Sequence, residues 1–286
     1  MSADMAAFDS VSHLGASGTP GALGASGTPG ASGTPGASGT PGALGGGGSS
    51  LSVSSLTAGY DRSPIVHDVS LDVRPGEIVS LVGPNGSGKS TLLKAIVGLV
   101  DVMGGRVLLD DADVTGWAPE EIVRAGAGYV PQVDDVFPPL TVRENLEVGG
   151  YLLPKGEVAG RIENALEVFP QLRRMLTRRA AKLSGGERKM LAMGRVLMLQ
   201  PALVALDEPT ANLAPAIARE VLEGHVRHLA DIGTSILVVE QRARAVLQIS
   251  DRTYVLGGGR VVMHGSPDVL ASSPEFVESF LGGTRA

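Results

Sequence analysis

The sequence predicts an α/β fold with a mainly parallel sheet core, and the spacing of its apolar runs carries this prediction. Short runs rich in β-branched residues or leucine recur along the chain, and the later ones each follow a helical stretch; they are 78–82, 106–109, 128–130, 203–206 and 236–239. Strands that alternate with helices form parallel sheets with helices on both faces. Residues from about 134 to 186 lack such runs, which predicts a helical subdomain.

Composition narrows the class of protein. Hydrophobic residues make up 43% and charged residues 19% of the 286 residues, which is sufficient for a well-filled core. The sequence has no apolar run of about 20 residues, so we expect no membrane span. The first fourteen residues hold Asp4 and Asp9 but no Lys or Arg, unlike a secretory signal. Cysteine is absent, which excludes disulfides and fits a cytoplasmic chain. The net charge of −6 argues against a nucleic-acid partner.

A glycine repeat occupies the N-terminal part of the chain. Gly recurs at every third position from Gly15 to Gly45. This is the pattern of the collagen triple helix, in which only Gly fits at the axis. Four prolines in this stretch are fewer than the ~15–20% typical of collagen-like sequence, so we favour a disordered linker, natural or engineered, over a trimeric stalk. We therefore divide the chain into a low-complexity linker at 1–50 and a folded domain at 51–286.

A phosphate-binding loop follows the first buried run. The pattern G-x-x-x-x-G-K-[ST] lies between a predicted strand and a predicted helix; its residues are Gly83, Pro84, Asn85, Gly86, Ser87, Gly88, Lys89, Ser90 and Thr91. Glycines let backbone N–H groups face phosphate oxygens, and the helix N-terminus adds positive potential. We expect Lys89 to bridge the β- and γ-phosphates and the Ser90 hydroxyl to ligate Mg²⁺.

Two carboxylates stand at the end of a later buried strand. Asp207 and Glu208 follow the run 203–206, and ligands of parallel sheets bind at the carboxyl ends of strands. We assign Asp207 to Mg²⁺, partly through water. Glu208 is placed to polarise a water molecule in line with the γ-phosphate. Without the phosphate loop, a solvated loop after the strand would be the better explanation of this pair.

The segment Ser184, Gly185, Gly186 and Glu187 allows two interpretations. Ser184 and Glu187 have the spacing of a capping box, which can begin any helix. The same residues also leave a bare helix N-terminus with a hydroxyl beside it, which is a ready anion site. Because the chain's own loop already holds phosphates, a second anion site indicates the γ-phosphate of a second protomer.

Taken in order, these motifs make residues 51–286 resemble the ATPase subunit of an ABC transporter, a P-loop NTPase. The resemblance implies ATP and Mg²⁺ as ligands, with Ser184–Glu187 as the signature acting in trans. It also implies that Tyr60 stacks on adenine and that Gln132 senses Mg²⁺ and the attacking water. Taken alone, a tyrosine such as Tyr60 is more often a core residue and a glutamine such as Gln132 more often a surface residue. Their position in the series of motifs favours the site roles.

Within that family, the sequence is similar to the smaller ATPase of branched-chain amino acid importers. The sequence segments on which this similarity rests are 207–215, 238–241 and 249–256. Gln241 stands where the family usually has a histidine that contacts the γ-phosphate; we retain it as a catalytic residue, since glutamine still donates a hydrogen bond. Ala214 stands where an aspartate is common, which leaves open how tightly this loop couples the two nucleotide sites.

The resemblance implies an assembly at the cytoplasmic face of the membrane, with this chain as a peripheral subunit. Two ATPase subunits would lie head to tail, and Gln241 indicates a non-identical, histidine-bearing partner. Two transmembrane permease subunits and, indirectly, a substrate-binding protein complete the expected set. The permease groove is expected within 133–151; Phe137 and Leu140 fit either this contact or a helical core. A different cargo such as lipid or urea, and a non-transport ABC ATPase, remain as alternatives.

Overall fold

The computed structural model describes residues 47–133 and 135–280. The linker predicted at 1–50 therefore lies outside the described residues except for its last four. The described strands are β1 Leu51–Tyr60, β2 Ser63–Val73, β3 Ile78–Val82, β4 Asp101–Leu109, β5 Ala112–Asp113, β6 Ala127–Val130, β7 Leu203–Asp207, β8 Ser235–Glu240, β9 Arg252–Gly257 and β10 Arg260–Gly265.

Helices account for most of the remaining described chain. The α-helices are α1 Lys89–Ile96, α2 Pro119–Arg124, α3 Val142–Gly149, α4 Val158–Val168, α5 Pro170–Arg173, α6 Gly185–Leu197, α7 Pro215–Arg219, α8 Arg227–Asp231, α9 Ala243–Leu247, α10 Pro267–Ser272 and α11 Pro274–Phe280. A 3₁₀ turn spans Ala180–Lys182, and a π-helical segment at Glu220–Val226 joins α7 to α8 without a break.

The central sheet has six strands in the order β10-β9-β3-β8-β7-β6. All its neighbours pair in parallel except β10, which pairs antiparallel with β9 at one edge. Strands β3, β7 and β8 are buried along their whole length. The predicted α/β class with a mainly parallel core is therefore confirmed.

Both faces of this sheet are covered, as parallel strands with apolar residues on both sides require. Val79 and Leu81 of β3 point into one core, which also holds Leu92 and Leu93 of α1. The alternate residues of β3, β7 and β8 point into a second core, which is closed by α6 and the π-helical segment. Helix α1 thus begins at the carboxyl edge of the sheet and packs along one face.

A second, four-stranded antiparallel sheet lies against the α1 side, in the order β2-β1-β4-β5. Its buried residues, including Leu56 and Val107, share one core with α1 and the central sheet. The sequence predicts only the last four residues of β4. The preceding part of that strand contains Gly104 and Gly105, which have no side chains to show a β pattern.

Between residues 135 and 186 the described chain consists of α3, α4, α5, the 3₁₀ turn and the start of α6. Thr141 caps α3: its hydroxyl accepts from the Glu144 N–H at 3.2 Å, and the Glu144 carboxylate accepts from the Thr141 N–H at 2.7 Å. Buried Asn145 accepts from the Phe137 N–H at 2.7 Å. These bonds fix the turn that leads from the central sheet into the helices.

Candidate functional site

The phosphate loop lies at the carboxyl end of β3, and α1 begins at its lysine. Gly88 precedes the helix with φ of 99°, a left-handed conformation that strongly favours glycine. A Cβ at Gly83 would collide with the Leu256 carbonyl oxygen of β9. The loop is therefore compact because two of its glycines allow a backbone course that other residues would obstruct.

The Lys89 ammonium lies within the loop. It is 4% exposed, and Nζ donates to the carbonyl oxygens of Gly83 at 2.9 Å and Pro84 at 3.1 Å. Burial lowers the pKa of Lys89, and the nearby carboxylates of Glu208, Asp207 and Glu240 oppose that shift. These carboxylates favour the charged ammonium that a phosphate-binding lysine needs.

Asp207 accepts hydrogen bonds from two side chains. The Ser90 hydroxyl donates to its Oδ1 at 2.8 Å, and the Tyr129 hydroxyl donates to its Oδ2 at 3.4 Å. Burial and the Asp207 charge raise the pKa of Tyr129, so this phenol stays a donor. The first helical turn of α1 and the end of β7 are thereby joined at one point.

Glu208 holds a conformation that is rare outside glycine. Its φ is 44°, and its N–H donates to the Val239 carbonyl oxygen at 2.9 Å. Such a residue costs on the order of 1–3 kcal/mol and persists where the surroundings impose it, which is common at functional sites. The Gln132 side chain donates through Nε2 to Glu208 Oε2 at 2.8 Å. Both the backbone and the carboxylate of Glu208 are therefore held.

A cavity of about 510 Å³ joins nine of the predicted residues. Its lining includes part of the phosphate loop together with three residues from other strand ends; the predicted residues in it are Asn85, Gly86, Gly88, Lys89, Ser90, Thr91, Gln132, Glu208 and Gln241. This volume lies within the range of about 300–1,000 Å³ that small-molecule sites occupy. The cavity sits at the carboxyl edge of the parallel strands, where such folds bind ligands.

Four other residues expected at the nucleotide lie outside this lining. Gly83 and Pro84 hold Lys89 through their carbonyl groups, and Ser87 is buried with an Oγ that has no hydrogen-bond partner within 47–133 and 135–280. Tyr60 ends β1 with 44% of its surface exposed. Ile65 of the adjacent strand β2 lines the cavity instead.

The signature residues lie in a separate pocket. Ser184, Gly185, Gly186 and Glu187 line about 350 Å³ together with Asn212, Leu213, Ala214, Ile217 and residues of the π-helical segment. The capping box is present: Ser184 Oγ accepts from the Glu187 N–H at 3.3 Å, and the Glu187 carboxylate accepts from the Ser184 N–H at 2.7 Å. That backbone bond, above all, lowers the pKa of Glu187.

A third concavity, of about 410 Å³, opens between α2, β6, α3 and α6. Its largely apolar lining includes Leu99, Val148, Tyr151 and Leu152, with the charged groups of Asp135 and Arg195. Phe137 and Leu140 do not line it. Phe137 is exposed instead, with the Arg195 guanidinium 4.6 Å from its ring centre.

Three residues near the cavity were not anticipated from the sequence. They are Tyr129, whose hydroxyl contacts Asp207; Glu240, which accepts from the Thr210 N–H at 2.9 Å; and Lys189, whose ammonium contacts the Gln132 carbonyl at 2.8 Å. Glu240 does leave a signal in the sequence, since it is a carboxylate at the end of a wholly apolar run. The others depend on long-range contacts that spacing does not reveal.

A phosphate loop between a buried parallel strand and a helix, with Asp207 two strands away at the same edge, defines a nucleotide-binding protein of the P-loop class. The sequence model of the ABC transporter family matches residues 66–211, and the chain belongs to that family. It is an ATPase, the ATP-binding subunit of a transporter.

Relatives of known designation cover nearly the whole folded region. A probable branched-chain amino acid transport ATP-binding protein, LivF, of Archaeoglobus fulgidus is 42% identical over 232 residues, covering 81% of this chain and 98% of the relative. The high-affinity branched-chain amino acid transport ATP-binding protein BraG of Pseudomonas aeruginosa is 39% identical, covering 82% and 100%. The lipopolysaccharide export system ATP-binding protein LptB of Escherichia coli is 30% identical, covering 82% and 98%.

A solved structure shares the fold. The ADP conformation of MJ1267, an ATP-binding cassette of an ABC transporter, superposes with a TM-score of 0.74 at 29% identity, covering 82% of this chain and 99% of that one. Among the described residues, no helix has the length and apolar character needed to cross a membrane.

Proposed function

We propose that the cavity at the carboxyl edge of β3, β7 and β8 is the ATP site and that Glu208 is its catalytic base. The observation that carries this proposal is the convergence of Lys89, Ser90, Gln132, Glu208 and Gln241 on one cavity. In this assignment the phosphate loop, residues Gly83–Thr91, wraps the phosphates through its N–H groups and Lys89 neutralises the β- and γ-phosphates. Tyr60 is proposed to stack on the adenine.

The residues beside the loop fit a magnesium ion. The Ser90 hydroxyl and the Asp207 carboxylate are 2.8 Å apart, and both are the hard oxygen donors that Mg²⁺ prefers. Gln132 donates through Nε2 to Glu208 and so keeps its Oε1 for the cation or for water. We propose that these three residues hold Mg²⁺, which would neutralise charge on the phosphate oxygens when bound.

Hydrolysis requires a water molecule in line with the γ-phosphate and a group to take its proton. We propose that the Glu208 carboxylate accepts this proton as the water oxygen bonds to the γ-phosphorus and the bond to ADP breaks. Gln132 orients Glu208 through their 2.8 Å hydrogen bond. Gln241 lines the same cavity and donates a hydrogen bond to the γ-phosphate in place of an imidazole.

The signature pocket supports an assembly of two ATPase subunits. Ser184 and the N-terminus of α6 line a pocket outside the phosphate-loop cavity, and a helix N-terminus with a hydroxyl beside it suits an anion. We propose that Ser184, Gly185, Gly186 and Glu187 complete the ATP site of a second subunit, which in turn completes this one. Gln241 is the reason to expect a non-identical partner with a histidine at the matching position.

The purified full chain tests that partner assignment. We expect it to hydrolyse ATP more slowly than when it is mixed with a histidine-bearing ATPase of the same transporter, with a mixed dimer forming in the presence of MgATP. A stable homodimer of this chain that turns over as fast as the complete transporter would contradict it.

The transporter's permease subunits need a docking surface on this chain. We propose the groove lined by Val148, Tyr151 and Leu152, because it is concave and apolar at its centre with charges at Asp135 and Arg195. The subunit would then be peripheral, held at the cytoplasmic face of the membrane by its permeases. A substrate-binding protein would act on the opposite side.

For the cargo, we propose branched-chain amino acids. The support is the similarity to LivF and BraG, at 42% and 39% identity, against 30% for LptB of Escherichia coli. Lipopolysaccharide export is the second candidate because that relative also covers 82% of the chain.

Uptake in the source cells distinguishes these cargoes. Replacing the chromosomal copy by one encoding Glu208→Gln should abolish high-affinity uptake of labelled leucine, isoleucine and valine, while re-expression of the unchanged chain restores it. Normal amino acid uptake together with a defect in lipid export would favour the second candidate.

A further inference from the structure

Lys189 of helix α6 is a buried cation that has no role in the ATP site proposed above. Its side chain is 7% exposed, and Nζ lies 2.7 Å from Asp135 Oδ2, whose side chain is 12% exposed. A buried ammonium requires partners, because desolvation without them costs several kcal/mol. A buried ion pair is nevertheless weak evidence for stability, since well-packed apolar side chains often serve as well. The ion pair with Asp135 is therefore a weak reason for a lysine at this position, and the other contacts of Lys189 must be considered.

The second partner of Lys189 indicates what the residue positions. Nζ also donates to the Gln132 carbonyl oxygen at 2.8 Å. The side chain of that same Gln132 donates to Glu208 Oε2 at 2.8 Å. Two hydrogen bonds thus run in series from α6 through one residue to the carboxylate proposed as the base.

The segment after β6 has a further attachment to α6. Arg195, two turns along α6 from Lys189, donates to the Asp135 carbonyl oxygen. The side chain and the backbone of Asp135 are therefore both held by α6. Since the Gln132 carbonyl is also held, this helix holds the backbone at both Gln132 and Asp135.

We propose that Lys189 is a positioning residue of the ATPase reaction. It fixes the Gln132 backbone against α6 so that the Gln132 amide orients Glu208 and presents Oε1 to the metal of MgATP. This inference rests on the ATP site proposed above and adds a residue that contacts neither nucleotide nor metal. Its effect should therefore be seen only when Mg²⁺ accompanies the nucleotide and only when Gln132 is present.

Calorimetric titration of the full chain with ATP, with Mg²⁺ or with a chelator, tests this. Lys189→Met keeps a side chain of similar length and removes the charge. We expect it to weaken MgATP binding by about tenfold, the lower end of the effect of removing a group that orients a metal ligand. Binding of metal-free ATP should be unchanged, and Lys189→Arg should recover part of the loss. Lys155→Met, at an exposed lysine, is the matched control and should match the unchanged chain.

A double-variant comparison separates positioning from general damage. Gln132→Ala should weaken MgATP binding by itself, and adding Lys189→Met should weaken it no further, because the lysine acts through Gln132. A full additional loss in the double variant would overturn the proposal. So would an equal loss with and without Mg²⁺, or no loss in Lys189→Met. Should Lys189→Met not fold, Lys189→Gln keeps a polar side chain beside Asp135 but is shorter and uncharged, and the same Mg²⁺-specific loss is expected.

The outcome also distinguishes this inference from the site on which it rests. If Gln132→Ala leaves MgATP binding unchanged, the assignment of Gln132 to the metal fails, and the role of Lys189 fails with it. If Gln132→Ala weakens binding and Lys189→Met does not, the ATP site stands and only the positioning role is lost.

Discussion

At the scale of single residues, Lys89 shows how burial and charge are balanced in the phosphate loop. Desolvation lowers its pKa, and three carboxylates keep the ammonium form favoured. The ammonium is held by two loop carbonyl groups, at 2.9 and 3.1 Å, so its position depends little on other parts of the protein. Removing it should therefore affect phosphate binding more than folding.

Lys89→Ala should weaken ATP binding by about 1.5–3 kcal/mol, the range for a hydrogen bond to a charged group. Titration of the full chain with ATP measures this loss. Lys94→Ala, one turn further along α1, is the control and should bind as the unchanged chain does. Equal affinity of the Lys89 variant and the unchanged chain would remove the lysine from the site.

The conformation of Glu208 predicts a conflict between stability and activity. Because its φ is 44°, any side chain with a Cβ is strained there, whereas glycine is not. Glu208→Gly should therefore be more stable than Glu208→Ala by about 1 kcal/mol, although neither hydrolyses ATP. Chemical denaturation of the two variants measures the difference, and a more stable alanine variant would show that the backbone is not strained.

At the scale of elements, the loop after β7 is fastened to the end of β8. Glu240, 1% exposed, accepts from the buried Thr210 N–H at 2.9 Å, and Arg242 donates to the Leu213 carbonyl oxygen at 2.9 Å. These two residues flank Gln241 and hold the loop that carries Glu208 and Ala214. The loop is therefore attached within this chain even though Ala214 lacks the carboxylate expected there.

Glu240→Leu leaves the Thr210 N–H buried without an acceptor, which should cost about 1–3 kcal/mol of unfolding free energy. Glu240→Gln retains an acceptor oxygen and should lose less. Burial raises the pKa of Glu240, so its charge is the costly form and losing the charge alone does little harm. Denaturant unfolding at neutral pH measures the loss of unfolding free energy in each variant. Equal losses would contradict a stabilising role for the hydrogen bond from Thr210 to Glu240.

The π-helical segment between α7 and α8 contains another buried titratable group besides Glu240. His225 is 8% exposed and contacts the Phe169 ring edge-on, with centroids 5.4 Å apart. Burial lowers the pKa of His225 below its usual 6.5, against the opposing charge of Glu220. As the pH falls through 6.5, this histidine becomes protonated in the unfolded chain but stays neutral in the folded protein. The free energy of unfolding therefore falls.

His225→Phe removes this proton uptake while keeping an aromatic ring against Phe169. The decline in unfolding free energy between neutral pH and the lowered pKa should therefore be shallower in this variant. Denaturant unfolding across this interval measures it. An identical slope in the His225 variant would contradict the account.

The elements also show why sequence predicts one sheet better than the other. Strands β3, β7 and β8 are buried throughout, and apart from Ser80 their polar residues lie at strand ends, so each contains a run of apolar residues. In β1 and β2 the exposed residues alternate irregularly, and the register shifts between Val53 and Leu56. Such strands are defined by their partners across the antiparallel sheet. For this reason the sequence predicts where the antiparallel sheet begins, but it does not predict the order of its strands.

The same distinction applies to the candidate site. The phosphate loop, Asp207 and Glu208 are local motifs at strand ends, so the order of the motifs predicts that they converge. The bonds from Lys189 to Gln132 and from Glu240 to Thr210 join residues 57 and 30 positions apart. No spacing rule predicts such pairs, because they depend on how α6 and β8 pack in the finished fold.

At the scale of the whole molecule, the proposed function gives this chain parts of two ATP sites. The phosphate-loop cavity and the signature pocket share no lining residue. Gly185 and Gly186 pack closely against Leu213 and Ile217, which follow Glu208 in sequence. The loop that carries the proposed base therefore contacts the signature proposed to serve the other subunit's ATP. This arrangement supports an ATPase that works in pairs.

The proposed function depends above all on Glu208 as the base of an ATPase built on this cavity. The most direct test measures MgATP affinity and phosphate release side by side for the unchanged chain and Glu208→Gln, in the assembled transporter. We expect Glu208→Gln to retain the affinity for MgATP while turnover falls by about a hundredfold or more, because general-base catalysis is lost. Phosphate release by Glu208→Gln at the rate of the unchanged chain would contradict it.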